Sequence, residues 1–118
     1  MKIYPQILKK DNPIREDLQD FYYFGDPQEI HLAISKAKLP AKTILNEKLH
    51  CHLESYTYFI TIQGEGYLEV EGEEIHLTEA AVIEIAPGEK YRVLRSGEDT
   101  FAWIVVGTKP GNVDKSIF

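Results

Sequence analysis

The chain has 118 residues, 43% hydrophobic and 27% charged, enough for one globular domain with one core and too short for a second. A formal charge of −6 and a pI near 5.2, with no basic run longer than Lys9-Lys10, exclude the electrostatic footprint of a nucleic-acid or anionic-membrane binder. No apolar run approaches the ~20 residues of a membrane span, and Met1-Lys2-Ile3-Tyr4-Pro5 lacks the apolar centre of a signal peptide, so a cytoplasmic protein with small-molecule or protein partners is expected.

Residues 1–28 read as an N-terminal arm. Pro5, Pro13 and Pro27 interrupt any pattern there. Asn12-Pro13-Ile14-Arg15-Glu16-Asp17-Leu18 has the form of one capped helical turn, with Asn12 as cap and Pro13 at the first position. The aromatic cluster Phe21-Tyr22-Tyr23-Phe24 suggests a segment lying across the main body or against a second subunit.

From Glu29 to Thr108 the pattern is all-β. Ile30, Leu32 and Ile34 alternate with His31, Ala33 and Ser35 up to Pro40, which gives a half-buried strand with His31 on its solvent side. Short strands follow over 43–45, 56–63, 67–71, 74–77, 82–86, 91–94 and 101–107. Turn signals separate nearly all of them: Gly64-Glu65-Gly66, Glu71-Gly72-Glu73, Pro87-Gly88-Glu89 and Ser96-Gly97-Glu98-Asp99. Many short strands without an amphipathic helix indicate a sandwich or barrel, and closing a barrel removes exposed edges. Residues 109–118 form an extended tail, whose Ile117 and Phe118 are expected to dock on the barrel or a partner.

The strand over 56–62 is apolar on both sides, with Thr57, Phe59 and Thr61 on one and Tyr58, Ile60 and Ile62 on the other. One side lines the interior. The other needs a cover, and a homodimer is the expected one, since two-fold pairing is the commonest closed symmetry.

Two of the four histidines lie in His50-Cys51-His52. On a strand, residues i and i+2 share a face, so the two imidazoles stand side by side, a spacing suited to one metal ion or one anionic ligand. Cys51, the single cysteine, has no intrachain disulfide partner; it points to the opposite face and reads as a small buried hydrophobe. Glu54 supplies a further oxygen if the strand runs that far, and Gln63 and His76 are candidates to approach from neighbouring strands, although a histidine set as His76 is, between Ile75 and Leu77, is more often structural. Nucleophilic chemistry has no support, for there is no Gly-x-Ser-x-Gly elbow, and Gly64-Glu65-Gly66 lacks the further glycine and helix of a phosphate loop.

These residues resemble a cupin, a small jelly-roll barrel with an N-terminal arm. The family's first motif pairs His-x-His with a glutamate and a closing glycine, and its second joins Gly, Pro-x-Gly, His and Asn. Laid on this chain, the first motif runs from Ile44 through His50 and His52 to Gly64, with Thr57 at the acidic position. The second falls on Ala80, Ala86, Gly88, Tyr91 and Arg95, of which only Gly88 matches. The resemblance implies a divalent ion such as Zn, Mn, Fe or Ni, held here by His50 and His52 with Tyr91 or Glu54. Thr57 is a poor ligand for it, and Tyr91 binds only once deprotonated, from an ordinary pKa of about 10.

The same alignment places Tyr91 in the lumen towards His50 and His52. A His–Tyr pair makes an acid/base couple without metal, able to move a proton next to a carbonyl as sugar isomerases and epimerases do, with Tyr91 and His52 as the catalytic pair. Arg95 shares the parity of Tyr91 and is expected to clamp a carboxylate or phosphate, or else to be a rim charge, with Thr57 and Gln63 as further ligand contacts. Three readings follow: a metal-binding cupin, a metal-free isomerase or epimerase, and a non-catalytic barrel. A sugar, sugar acid or keto acid is the expected ligand class.

Overall fold

A computed structural model of the chain describes residues 6–11, 19–26, 29–107 and 115–117, with side chains over 33–107. Eleven strands succeed one another: β1 (Gln6–Asp11), β2 (Gln19–Asp26), β3 (Glu29–Leu39), β4 (His50–His52), β5 (Thr57–Gln63), β6 (Gly66–Val70), β7 (Glu73–Leu77), β8 (Val82–Ile85), β9 (Tyr91–Ser96), β10 (Phe101–Gly107) and β11 (Lys115–Ile117). They form two antiparallel sheets, one in the order β1-β2-β3-β10-β5-β8 and one in the order β11-β4-β9-β6-β7. The expected all-β jelly roll is therefore observed.

The period-two pattern separates the two sides of β5. On β3 it is Ser35, Ala37 and Leu39 that are buried, and Ile34 shares the other side with Lys36 and Lys38, the reverse of the side its alternation suggested. On β5 Thr57, Phe59 and Thr61 are buried, while Tyr58 and Ile62 are exposed. Phe59, Phe101 and Trp103 stack beside Leu39, Leu68, Leu77 and Val93 as the apolar core between the sheets. Cys51 is buried with no disulfide, as a small hydrophobe would be.

Local chemistry sets the turns. Glu71 and Gly72 both take positive φ, 49° and 82°, closing the β6–β7 hairpin in the two-residue form that matches strand twist. Near Thr100, Gly64 and Gly66 permit a close approach: any Cβ on Gly64 would meet the Thr100 carbonyl, and one on Gly66 would meet the Phe101 ring. Phe101 so fills that end of the sandwich.

Two expectations change, and the expected docking of the tail takes a definite form. The arm contributes β1 and β2, which extend the larger sheet through pairing of β2 with β3, so neighbouring backbone overrides the proline punctuation there. Residues 43–45 form no strand; Ile44 makes one isolated bridge to Arg95, and the segment straps along β9. In the tail, β11 pairs with β4, Lys115 opposite His52 and Ile117 opposite His50. The helical turn expected over 12–18, most of the tail before β11, and the side chains of His31, of the aromatic cluster and of Ile117 and Phe118 lie outside the described residues.

Candidate active site

Two crossovers between the sheets define one end of the barrel. Residues 53–56 carry the chain from His52 in the smaller sheet to Thr57 in the larger, and 86–90 carry it back from Ile85 to Tyr91. Thr57 pairs with Ile85 and with Gly107, and Gly107 with Ala33, so the larger sheet presents small inward residues at this end. On the smaller sheet His50 stands opposite Tyr91. Buried hydroxyls gather here, with Ser55 and Thr57 each 2% exposed and Ser35 one row deeper. The aromatic cluster of the core stops short of this end, where the buried Ile85 lies beside the hydroxyls.

His50 and Tyr91 are each 4% exposed, and their rings lie 4.3 Å apart between centroids. His50 Nδ1 sits 2.9 Å from the Lys48 carbonyl oxygen. A carbonyl only accepts, so the proton of the neutral ring is on Nδ1 and Nε2 is its basic nitrogen. His52 Nε2 lies 3.2 Å from the Tyr91 hydroxyl, a contact in which one proton is held between imidazole and phenol. The two imidazole rings stand edge to face with centroids 5.9 Å apart.

The approach of β4 to β9 is prepared upstream. Leu45 N–H donates to the Leu94 carbonyl, Ser96 N–H to the Thr43 carbonyl, and Val93 N–H to Glu47 Oε2 at 2.7 Å. Where the strap leaves β9, the Glu47 carboxylate takes the place of a backbone acceptor. The Gly88 N–H then donates to the His52 carbonyl, fixing the second crossover against β4.

The structure brings His50, His52 and Tyr91 together and buries Thr57 at the same end. Of the other candidates, Glu54 stays in the 53–56 crossover at this end, while Gln63, His76 and Arg95 lie elsewhere. Strand β4 ends at His52, so Glu54 lies in an exposed bend beyond it. Gln63 is exposed at the opposite end of β5, six residues from Thr57, or about 20 Å along the strand. His76 lies outside the barrel, 2.8 Å from Glu65 Oε2 and stacked on Tyr67.

Arg95 is the clearest correction. Its register partner is Tyr67, whereas Val93 faces Leu68, so Leu94 is an extra residue and the alternation of β9 shifts by one beyond Val93. Arg95 therefore joins the outer face, its guanidinium 4.1 Å from the centre of the Tyr67 ring and 2.7 Å from Glu74 Oε1. That hydrogen bond holds the Glu74 carboxyl below its ordinary value and raises Arg95. Arg92 likewise pairs with Glu69 at 2.7 Å. Sequence reasoning missed the buried Ser35 and Ser55 and the Lys48 carbonyl, because nothing in a single serine or an exposed lysine signals them.

A resident divalent ion, which the cupin resemblance implies, fits this donor set poorly. Two imidazoles meet a neutral phenol, and among the described residues no three His, Cys, Asp or Glu side chains are grouped to hold an ion.

The architecture is that of a small cupin-type barrel. Its solved likenesses include a cupin protein from Bacteroides fragilis, 21% identical over 73% of this chain and 72% of that one with a TM-score of 0.62. The Streptomyces nucleoside dehydratase Pac13 superposes over 98% of this chain and 84% of its own at 9% identity, with a TM-score of 0.65. Variants of Pac13 with a histidine changed to glutamine or a tyrosine to phenylalanine have been solved with uridine. A candidate sugar phosphate isomerase from Acidithiobacillus ferrooxidans is 15% identical over 68% of this chain, with a TM-score of 0.59, and the present chain spans about half of it, 51%. Neither a protein-family model nor a curated protein matches the sequence.

Proposed function

We propose that the barrel binds a small carbonyl-bearing sugar or nucleoside and moves protons on it through His50, His52 and Tyr91, without a metal ion. The contact of 3.2 Å between His52 Nε2 and the Tyr91 hydroxyl carries this reading. His50 Nε2, its tautomer set by the Lys48 carbonyl, takes a proton from the carbon next to the carbonyl. The Tyr91 hydroxyl donates its proton to the carbonyl oxygen as negative charge develops there, while His52 Nε2–H, donating to the Tyr91 oxygen, steadies the phenolate until the enol hydroxyl returns that proton to it. Return of the proton to the neighbouring carbon yields the isomer, and departure of a β-hydroxyl as water yields the unsaturated carbonyl compound.

Small hydroxylated side chains at this end, Ser35, Ser55 and Thr57, suit a polyhydroxylated ligand. Arg92 and Arg95 are engaged by Glu69 and Glu74 on the outer face, which favours a neutral ligand over a sugar acid or keto acid. Among the fold's likenesses, a nucleoside dehydratase supports the substrate class.

The test incubates the chain in heavy water and excess chelator with aldehydo- and keto-sugars and nucleoside aldehydes, following exchange at the carbon next to the carbonyl by NMR. Exchange that survives chelation and disappears in Tyr91→Phe is expected. Exchange that needs an added metal ion, persists unchanged in Tyr91→Phe, or occurs with no compound of the panel overturns the reading.

A further inference from the structure

His50 can act as a base through Nε2 only while its proton sits on Nδ1, and a backbone carbonyl keeps it there, that of Lys48 at 2.9 Å. In a continued ladder that carbonyl would belong to the neighbouring strand. His50 faces Tyr91, so two residues further along the same antiparallel register Lys48 would stand opposite Val93. The ladder does not run that far. Strand β4 begins at His50, and the Val93 N–H donates instead to Glu47 Oε2 at 2.7 Å.

The lengths of the two facing segments explain the exchange. Ile44 is bridged to Arg95 and His50 to Tyr91, so six residue steps of the strap run beside four of β9. Two residues too many have to leave the ladder. Leu45 still donates to the Leu94 carbonyl, so the excess falls over 46–49, which form no strand. Asn46 and Lys48 are exposed there, while Glu47 between them is half-buried and reaches β9. Val93 is 3% exposed, so its N–H needs an acceptor within the protein. A carboxylate meets that need with a shorter and stronger bond than a carbonyl makes.

We infer that Glu47 is a positioning residue for His50: its carboxylate occupies the Val93 N–H, which leaves the Lys48 carbonyl to hold the imidazole with Nε2 bare. Without that carboxylate, the Lys48 carbonyl is the acceptor that the register of His50 and Tyr91 brings to Val93. Once drawn to the strand, it no longer accepts from His50. The ring proton then moves to Nε2, and the nitrogen that takes the substrate's proton ceases to be basic. The consequence for turnover rests on the proton transfer proposed above, whereas the choice of tautomer does not.

Long-range proton–nitrogen NMR of the full chain at a pH of about 8, where imidazoles are neutral, reads which ring nitrogen carries the proton. A His50→Gln chain identifies the His50 signals among those of the four histidines, and circular dichroism confirms folding. His50 is expected as the Nδ1–H form in the wild-type chain and in Glu47→Gln, whose amide oxygen also accepts. In Glu47→Ala, and in Glu47→Asp, which is one methylene too short, the Nε2–H form is expected to dominate; the aspartate variant decides if the alanine chain does not fold. In the chelated heavy-water assay Glu47→Gln exchanges within about threefold of wild type, while Glu47→Ala and Glu47→Asp lose about tenfold or more in kcat with KM within about threefold. An Nδ1–H ring in Glu47→Ala and Glu47→Asp, a Glu47→Gln chain that behaves like Glu47→Ala, or a changed tautomer with unchanged exchange overturns the inference. Absence of exchange in the wild-type chain overturns the proposed reaction instead, and the tautomers alone then decide whether Glu47 orients His50.

Discussion

His52 and Tyr91, 39 residues apart in the chain, are joined by a 3.2 Å contact between imidazole Nε2 and phenol hydroxyl. Register produces it. His50 stands directly opposite Tyr91 on the neighbouring strand, and His52, two residues on and on the same face, reaches the hydroxyl diagonally. A single neutral hydrogen bond contributes only about 1 kcal/mol, so Tyr91→Phe and His52→Gln are expected to lower unfolding free energy by about that much each. Losses in turnover are expected to be far larger, about 10²-fold or more for each variant. Because the two groups share one contact, the double variant costs less stability than the sum of the singles. Denaturant unfolding of the four proteins, beside their exchange rates in heavy water, checks both statements; additive stability losses refute the shared proton.

Arg95 belongs to the outside of the barrel, and Arg95→Gln is accordingly expected to leave ligand affinity unchanged. Its effect is on acid stability. The hydrogen bond from Arg95 holds the Glu74 pKa below its ordinary 4.5 in the folded chain. A depressed carboxyl contributes stability above its unfolded value, and the contribution fades as pH falls through the folded one. Wild-type thermal midpoints should therefore drop more steeply below pH 4.5 than those of Arg95→Gln, with the curves parallel at neutral pH. Both groups are solvent-exposed, so the difference is small. A changed ligand affinity would place Arg95 back in the site.

How much of this was legible depended on whether a residue's role is set locally. Glycine positions were legible because they encode backbone conformation. Gly64 and Gly88, both on the motif alignment, take φ of 68° and 84°. Alternation on β5 separated its two sides, but with both apolar it did not tell that Thr57, Phe59 and Thr61 face the interior. The placement of Arg95 was not, because the bulge at Leu94 reverses parity and is fixed by how β9 packs on β6, not by the sequence of β9. β1 and β2 were hidden for a related reason: β2 takes its hydrogen bonds from β3 and β1 takes its own from β2, pairings that the proline-broken arm does not announce. The His–Tyr contact was half visible, since the alignment aimed Tyr91 inward, while the Lys48 carbonyl that orients His50 is a backbone group without sequence signal.

Ala80 extends that lesson to a stability change. It occupies the position where the second motif has glycine, and its φ is 66°, in the left-handed region that costs a residue with a Cβ about 1 kcal/mol or more. Its N–H donates to the Thr61 carbonyl, so the turn is held from outside and the strain persists. Ala80→Gly is expected to raise unfolding free energy by about 0.5–1 kcal/mol, the relief of strain being partly offset by the greater freedom of glycine in the unfolded chain. Urea unfolding at constant slope measures it; a destabilised variant would show that the Cβ makes a contact worth more than the strain.

Tyr58 carries an alkaline counterpart to Glu74. Its hydroxyl donates to Glu84, and the adjacent carboxylate raises the phenol pKa above 10.0. The raised group adds stability that is fully present below pH 10.0 and is lost as pH rises through the folded value. Glu84→Gln removes the charge, so Tyr58 should ionise at lower pH, as read from the ultraviolet absorbance of tyrosinate. An unshifted titration would mean that the pair is not held in solution.

The closed end of the barrel offers the sharpest packing test. Phe101 is 0% exposed and lies over the backbone of Gly66, where any Cβ would overlap the ring. Gly66 has no positive φ to explain its identity, so the requirement is purely one of space. Gly66→Ala must push the ring into Phe59 and Trp103, its stacked neighbours, and overpacking of this kind costs about 1–3 kcal/mol. Phe101→Leu alone leaves a void and costs about 1–3 kcal/mol by itself. In the double variant the new methyl occupies part of that void, so its loss of stability should fall below the sum of the two. His52 and Tyr91 stand at the other end of the sandwich, and on the proposed function exchange rates per folded molecule should be unchanged in all three proteins. Additive losses of stability would mean that the ring and the glycine do not compete for one space.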